Sequence, residues 1–337
     1  MPLSHEDLYI YTRPRRVVDG PNARVCLTAS EEVKMPTQGA RQERILVLGG
    51  AGMLGHKMFQ VLGRRFGNTA CTIRRHMDDQ TAAVLARVPG QVIEGVDVSK
   101  MDDLIDLLRQ VRPTVIVNCV GAVKQRAEAH DSITAITLNS LLPHRVALAA
   151  EEWGGRVIHF STDCVFTGNK GHYVEDDEPD ATDLYGRSKV LGEPTRANTL
   201  TLRVSFIGRE IHHHQSLLEW FLTQENQRVR GFRQTWWSGV TTVHLAEVIA
   251  DLLEHHPTLR GVYHLSSGRI SKYDLLVKLR TIYGLDVEIE PDDSVVCDRS
   301  LDGTRFEQTT GYQPPPWDVL LAQLVSDPTA YPSLVRR

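Results

Sequence analysis

Cysteine is scarce. The 337-residue chain has five, Cys26, Cys71, Cys119, Cys164 and Cys297, an odd number with no CxxC pair among them, which argues against a disulfide framework and against a structural zinc site. Long apolar runs are also missing. No stretch approaches the roughly 20 residues needed to cross a bilayer, and the N-terminus MPLSHEDLYI lacks the basic-then-apolar layout of a secretory signal. The expected compartment is the cytoplasm, with no membrane partner. Positive charge is not in excess either: Lys and Arg total 38 against 42 Asp and Glu, a net charge of -4, so there is no general cationic field to hold nucleic acid. What remains is ordinary globular composition, 41% hydrophobic and 24% charged, in a chain long enough for one large core or two smaller ones.

Residues 1–43 mix Arg, Pro, Gly and charge without sustained periodicity and read as a flexible N-terminal extension. The pattern changes at Arg44. RILVLGG reads as a strand, and MLGHKMFQVLGRRFG after it carries apolar residues at helical spacing, Met53, Met58, Val61, Leu62 and Phe66. The alternation repeats, with TACTIRR, QVIEGVDV, TVIVNCVG and RVIHFSTD as strands and AAVLARV, MDDLIDLLRQV and the stretch from Ile133 to Trp153 as helices. This predicts an α/β fold, a Rossmann-type doubly wound parallel sheet over 44–208. Beyond it, 209–337 reads as a smaller mixed α/β lobe with helices at Leu217 to Gln224 and Val243 to Glu254, elements being free to cross between the two. Lying over the sheet's carboxyl edge, that lobe would supply substrate specificity.

Gly49, Gly52 and Gly55 in GGAGMLG follow the first strand directly and open the first helix. A phosphate-binding turn needs this layout: a tight turn, a close backbone approach to a pyrophosphate, and helix-strand packing, with the helix N-terminus offering free N–H groups. Met53 and Leu54 belong to the same turn. The next strand ends in Arg74 and Arg75 with no carboxylate at its tip, which favours the 2′-phosphate of NADP, while Asp78 and Asp79 leave NAD open. Asp97, beside Val98, can accept from an adenine amino group or cap the following helix.

Tyr185 and Lys189 in YGRSK are four residues apart, which on a helix brings their Cβ atoms to about 5–6 Å on one face. A phenol of pKa ~10 is a poor acid or base near neutrality, and a neighbouring ammonium favours its ionised form. Upstream, Ser161 and Thr162 end a strand, so their hydroxyls would emerge at the carboxyl edge within reach of a carbonyl oxygen.

The combination of GGAGMLG, NCVGAVKQRAE, LNSLLP, HFSTDCVFTGNKGHYVEDD, YGRSKVLGE and RVSFIG resembles the extended short-chain dehydrogenase/reductases. Within them it is most similar to the dTDP-4-dehydrorhamnose reductase family and related nucleotide-sugar 4-ketoreductases, from about Arg44 to near the C-terminus. The resemblance implies hydride reduction of a nucleotide-linked 4-keto-6-deoxy sugar with NADP or NAD, Thr162, Tyr185 and Lys189 forming the catalytic group. Gly121 and Ala122 would line the cofactor and Asn139 would support the site, with Ser161 and Asp163 flanking the catalytic hydroxyl. Family members generally carry two alanines after Asn118, where this chain has Cys119, Val120 and Gly121; Lys124 then projects a charge that could engage a substrate diphosphate. Arg203, Arg209 and Arg299 are further phosphate candidates, and Trp236 and Trp237 could stack on a base or sugar. His212, His213 and His214 point in different directions, so they form no metal site and are expected in a mobile substrate-side loop. No metal is expected, and a homodimer is compatible with the family. Epimerase or dehydratase chemistry uses the same Tyr and Lys, and a regulatory protein such as the regulatory subunit of methionine adenosyltransferase keeps the fold without turnover.

Overall fold

The computed structural model describes residues 10–11, 43–123 and 131–331. In chain order the first half runs β1 (Ile10–Tyr11), β2 (Ile45–Leu48), α1 (Met53–Phe66), β3 (Thr69–Thr72), α2 (Asp79–Leu85), β4 (Gln91–Ile93), α3 (Met101–Val111) and β5 (Val115–Asn118). It continues with α4 (Ser132–Ala135), a π-helical stretch Ile136–Leu141, α5 (Leu142–Glu151), β6 (Arg156–Ser161), α6 (Leu184–Leu191) and β7 (Thr199–Arg203). The second half holds β8 (Phe206–Ile207), α7 (Leu217–Leu222), β9 (Arg228–Phe232), β10 (Thr235–Trp237), β11 (Val240–Thr241), α8 (Thr242–His255) and β12 (Gly261–His264). It ends with β13 (Ile270–Ser271), α9 (Lys272–Tyr283), β14 (Glu288–Asp292), β15 (Cys297–Asp298), α10 (Thr304–Thr310) and α11 (Trp317–Val325).

The central strands ILVL and VIVN are buried at every position. Helices cover both faces of the sheet, so these strands need continuous rather than alternating apolar residues. On one face α1 supplies Met58, Phe59 and Leu62 against Leu245, Ile249 and Leu253 of α8. On the other, Leu104 and Leu108 of α3 meet Val146 and Ala150 of α5. The strand order is β1-β4-β3-β2-β5-β6-β7-β12. Every pair from β4 to β12 is parallel, and β1 adds antiparallel to β4, Ile10 opposite Ile93. The order reverses at β2, which lies between β3 and β5, and such a reversal opens a crevice beyond the carboxyl ends of the strands.

Two features depart from a simple repeat. The helix expected from Ile133 to Trp153 is three segments end to end, α4, the π-helical stretch and α5. Strand β12 comes from the second half of the chain yet pairs with β7, Gly261 opposite Leu200. Of the remaining second-half elements, α8 and α10 join the core beneath the sheet, while α7, α9 and α11 pack around a separate core of Leu218, Phe221, Leu275, Leu279, Trp317 and Leu320.

Candidate active site

The glycine turn sits at the carboxyl end of β2. Gly49 has φ +85°, in the region that favours glycine, and a Cβ there would also approach Val120 Cγ2 at 2.9 Å. The Gly52 N–H donates to the Gly49 carbonyl at 2.9 Å, closing the turn. Gly52 is the N-cap of α1 and puts no side chain over its first N–H groups, while a Cβ on Gly55 would collide with the Gly49 carbonyl. Met53 and Leu54 begin the helix. A cradle that admits backbone and excludes side chains suits a pyrophosphate at a helix N-terminus. Gly50 completes it and was not among the sequence candidates; its Cβ would lie 2.5 Å from Cys71 Sγ on β3. The doubled glycine of LGG is the signal for it.

Arg74 and Arg75 lie just past β3, and both are exposed. Asp78 is committed to α2, its Oδ1 accepting the Thr81 N–H at 2.8 Å as the helix cap. Asp97 Oδ1 accepts both the N–H and the hydroxyl of Ser99, at 3.0 and 2.7 Å, ahead of α3. Val98 beside it is buried.

The wall of the crevice opposite β2 is held by one side chain. Asn139, fully buried in the π-helical stretch, accepts the Ala122 N–H at 2.9 Å and donates to the Ala122 carbonyl at 3.1 Å and to Ser188 Oγ at 3.0 Å. Ser188 Oγ in turn donates to the Tyr185 carbonyl at 2.8 Å. The loop Gly121 to Ala122 is thereby tied to α6 through Asn139. The π widening that sets this angle is a common accompaniment of functional sites. Gly192, ending α6, is where the helix touches the Asn139 backbone, and a Cβ there would run into the Asn139 carbonyl.

Thr162 follows β6 and is buried; its hydroxyl donates to Asp163 Oδ1 at 3.1 Å and accepts the Cys164 N–H at 3.1 Å. Burial, reinforced by Cys164 and the carboxylates Asp163 and Asp183, pushes the Tyr185 phenol above its ordinary range, with Thr162 opposing. Lys189 is buried one helical turn on, and its Nζ donates to the Phe160 carbonyl at 2.7 Å with His159 Nε2 at 3.5 Å. Burial pushes its pKa down to about 8, with Glu193 opposing.

Ser161 and Arg203 face inward. Glu193 takes the Ser161 hydroxyl at 2.6 Å and both guanidinium arms of Arg203 at 2.9 Å, with the ion pair almost entirely buried. Trp237 is buried against Trp317, ring centroids 5.2 Å apart. Arg299 Nε donates to the Phe166 carbonyl at 2.8 Å. Lys272, absent from the sequence candidates, places Nζ 4.0 Å from the Trp237 ring centroid, and burial pushes its pKa down to about 8 against Asp163 and Cys164. Its sequence signal is a cation at the first position of α9, where the helix dipole disfavours one. Lys124 lies outside the described residues. Of the histidine triple, His212 Nε2 meets Thr81 Oγ1 of α2 at 2.9 Å, and His214 Nδ1 meets the buried Glu219 at 3.1 Å.

Fold and site geometry together define an extended dehydrogenase/reductase-like protein of the dinucleotide-binding class. Residues 43–329 match the RmlD substrate-binding domain, and the chain belongs to that family. The dTDP-4-dehydrorhamnose reductase of Escherichia coli is 29% identical over 194 residues, 53% of this chain and 62% of the relative, so the chain spans less than two thirds of that protein's length. The methionine adenosyltransferase 2 subunit beta of Mus musculus is 23% identical over 273 residues, covering 77% of this chain and 76% of the relative. Among solved structures, the Bacillus anthracis dTDP-4-dehydrorhamnose reductase in complex with NADP superposes with a TM-score of 0.69 at 20% identity, over 84% of this chain and 99% of that one. Among the described residues no helix is long and apolar enough to cross a membrane.

Proposed function

We propose that the chain reduces a nucleotide-linked 4-keto-6-deoxy sugar, preferring NADPH. The observation that carries this reading is that α6, with Tyr185 and Lys189, packs on the Thr162-capped turn at the carboxyl end of β6, Gly186 against the Cys164 carbonyl, on the sheet edge that also bears the glycine turn. Gly49, Gly52, Met53, Leu54 and Gly55 would hold the pyrophosphate, with Asp97 and Val98 at the adenine end. Arg74 and Arg75 would hold a 2′-phosphate, and Gly121, Ala122 and Asn139 would form the opposite wall. A reduced nicotinamide held there supplies the hydride.

The rest is work for the chain's own groups. Tyr185 keeps its proton at neutral pH and is the group placed to give it to the oxygen developing at C4, although its raised pKa is the opposite of the lowering expected from Lys189, whose Nζ is turned to the Phe160 carbonyl. Thr162 can donate to the same oxygen by turning its one hydroxyl proton away from Asp163, which accepts it at 3.1 Å. Lys189 can reach ribose hydroxyls from the face it shares with Tyr185. Arg299 and Lys124 are the groups proposed for the nucleotide diphosphate, whereas Trp237, buried against Trp317, is a core residue rather than the base-stacking one expected.

The test is a panel of 4-keto-6-deoxy sugars on dTDP, UDP and GDP, followed by nicotinamide oxidation and NMR of the products. Tyr185→Phe should retain cofactor binding while turnover drops about a hundredfold or more. Wild-type speed in that variant would remove Tyr185 from the chemistry. A second reading, a cofactor-binding regulatory subunit, rests on the likeness to the methionine adenosyltransferase subunit beta. It predicts binding without turnover on every sugar of the panel.

A further inference from the structure

The end of the described chain returns to the glycine turn. After α11, residues 327–331 lie along α1, where the buried Lys57 forms an ion pair with Asp327 and donates to Thr329 Oγ1 at 2.6 Å and to Gln60 Oε1 at 2.7 Å. One residue nearer the N-terminus of α1, His56 is completely buried. Its Nδ1 lies 2.8 Å from the Gly52 carbonyl and its Nε2 lies 2.8 Å from the Tyr331 hydroxyl. Burial, with Lys57 adjacent, pushes the His56 pKa down to about 3, so the ring is neutral and carries one proton. A carbonyl only accepts, so that proton is on Nδ1 and donates to Gly52, and Nε2 accepts from the Tyr331 hydroxyl at 2.8 Å, the shorter of that hydroxyl's two contacts, the other being Asp327 Oδ2 at 3.3 Å. The Tyr331 ring is itself gripped, edge-on to His56 at 5.6 Å and with the Arg209 guanidinium 4.8 Å from its centroid.

We infer that residues 327–331 act as a strap positioning the pyrophosphate turn, through the hydrogen-bonded chain Tyr331 to His56 to the Gly52 carbonyl. Gly52 is the N-cap of α1, and its own N–H closes the turn on Gly49. Fixing the Gly52 peptide therefore fixes the direction of the N–H groups a pyrophosphate would meet. Tyr331 and His56 are positioning residues that touch no ligand. The inference rests on the reading of the glycine turn as a pyrophosphate site.

Tyr331→Phe keeps the ring and its cationic neighbours and removes only the hydroxyl. Dissociation constants for NADPH and for ADP should each rise about fivefold, the effect of one lost hydrogen bond. That for 2′-AMP, which has no pyrophosphate, should stay unchanged, as should kcat at saturating cofactor. Thr329→Val, which loosens the strap at Lys57 without touching His56, should move the NADPH and ADP constants in the same direction by less. Unchanged NADPH and ADP binding in both variants overturns the inference, and so does an equal weakening of 2′-AMP, which would signify general loosening. Failure of the wild-type protein to bind either NADPH or ADP would instead remove the pyrophosphate reading on which it rests.

Discussion

At the scale of single residues the buried ammonium of Lys189 sets a pH dependence. Its pKa is pushed down to about 8 from an ordinary 10.5, so between those values the unfolded chain binds more protons than the folded one, and this group's contribution to stability rises with pH. The melting temperature of wild type relative to Lys189→Met should therefore shift in favour of wild type from about pH 7 to about pH 10. A constant difference would mean that Lys189 titrates alike in both states. Arg74 and Arg75 make a second residue-level prediction: NADPH should bind about tenfold more tightly than NADH, a gap of ~1.4 kcal/mol that narrows with salt and collapses in the variant that loses the contacting arginine. Equal dissociation constants in wild type would mean both arginines only face water. Tyr185, Lys189 and the three spaced glycines were legible because each motif is local, four residues on one helical face or one turn between strand and helix. The inward commitment of Arg203 was not, because its partner Glu193 stands just past the end of α6, in a connection that no periodicity describes.

At the scale of elements the junction between α6 and the π-helical stretch is the most sensitive contact of the site. Gly192→Ala would drive a methyl group into the Asn139 carbonyl and push apart the two segments that hold Tyr185 and the Gly121 to Ala122 loop. A cost of about 1–3 kcal/mol in stability is expected, together with a lower kcat, measurable by thermal unfolding and steady-state kinetics. An unaltered kcat would show that the junction carries no information to the site. Most strands and helices of the first half could be read to within a few residues, and MDDLIDLLRQV is α3 from end to end, but QVIEGVDV stops being a strand at Ile93 and β1 carries no pattern that announces it. The π turn was hidden because it changes hydrogen-bond spacing without changing the apolar pattern of the helix that contains it.

At the scale of the molecule, the alternation of strand and helix pointed to the parallel sheet, whereas short second-half strands such as β12 carry no pattern that reveals which sheet they join. The placement of β12 has a consequence in time. Synthesis releases β2 to β7 first, and the outer edge of β7 stays without a partner until Gly261–His264 has emerged. An unpaired parallel edge is a template for association with other chains, so the interval is one in which a nascent-chain chaperone has something to cover. Chains arrested on the ribosome before Gly261 should be cut by protease around β7, and chains arrested well beyond His264 should resist; protection before Gly261 would show that the sheet's edge orders without its last strand.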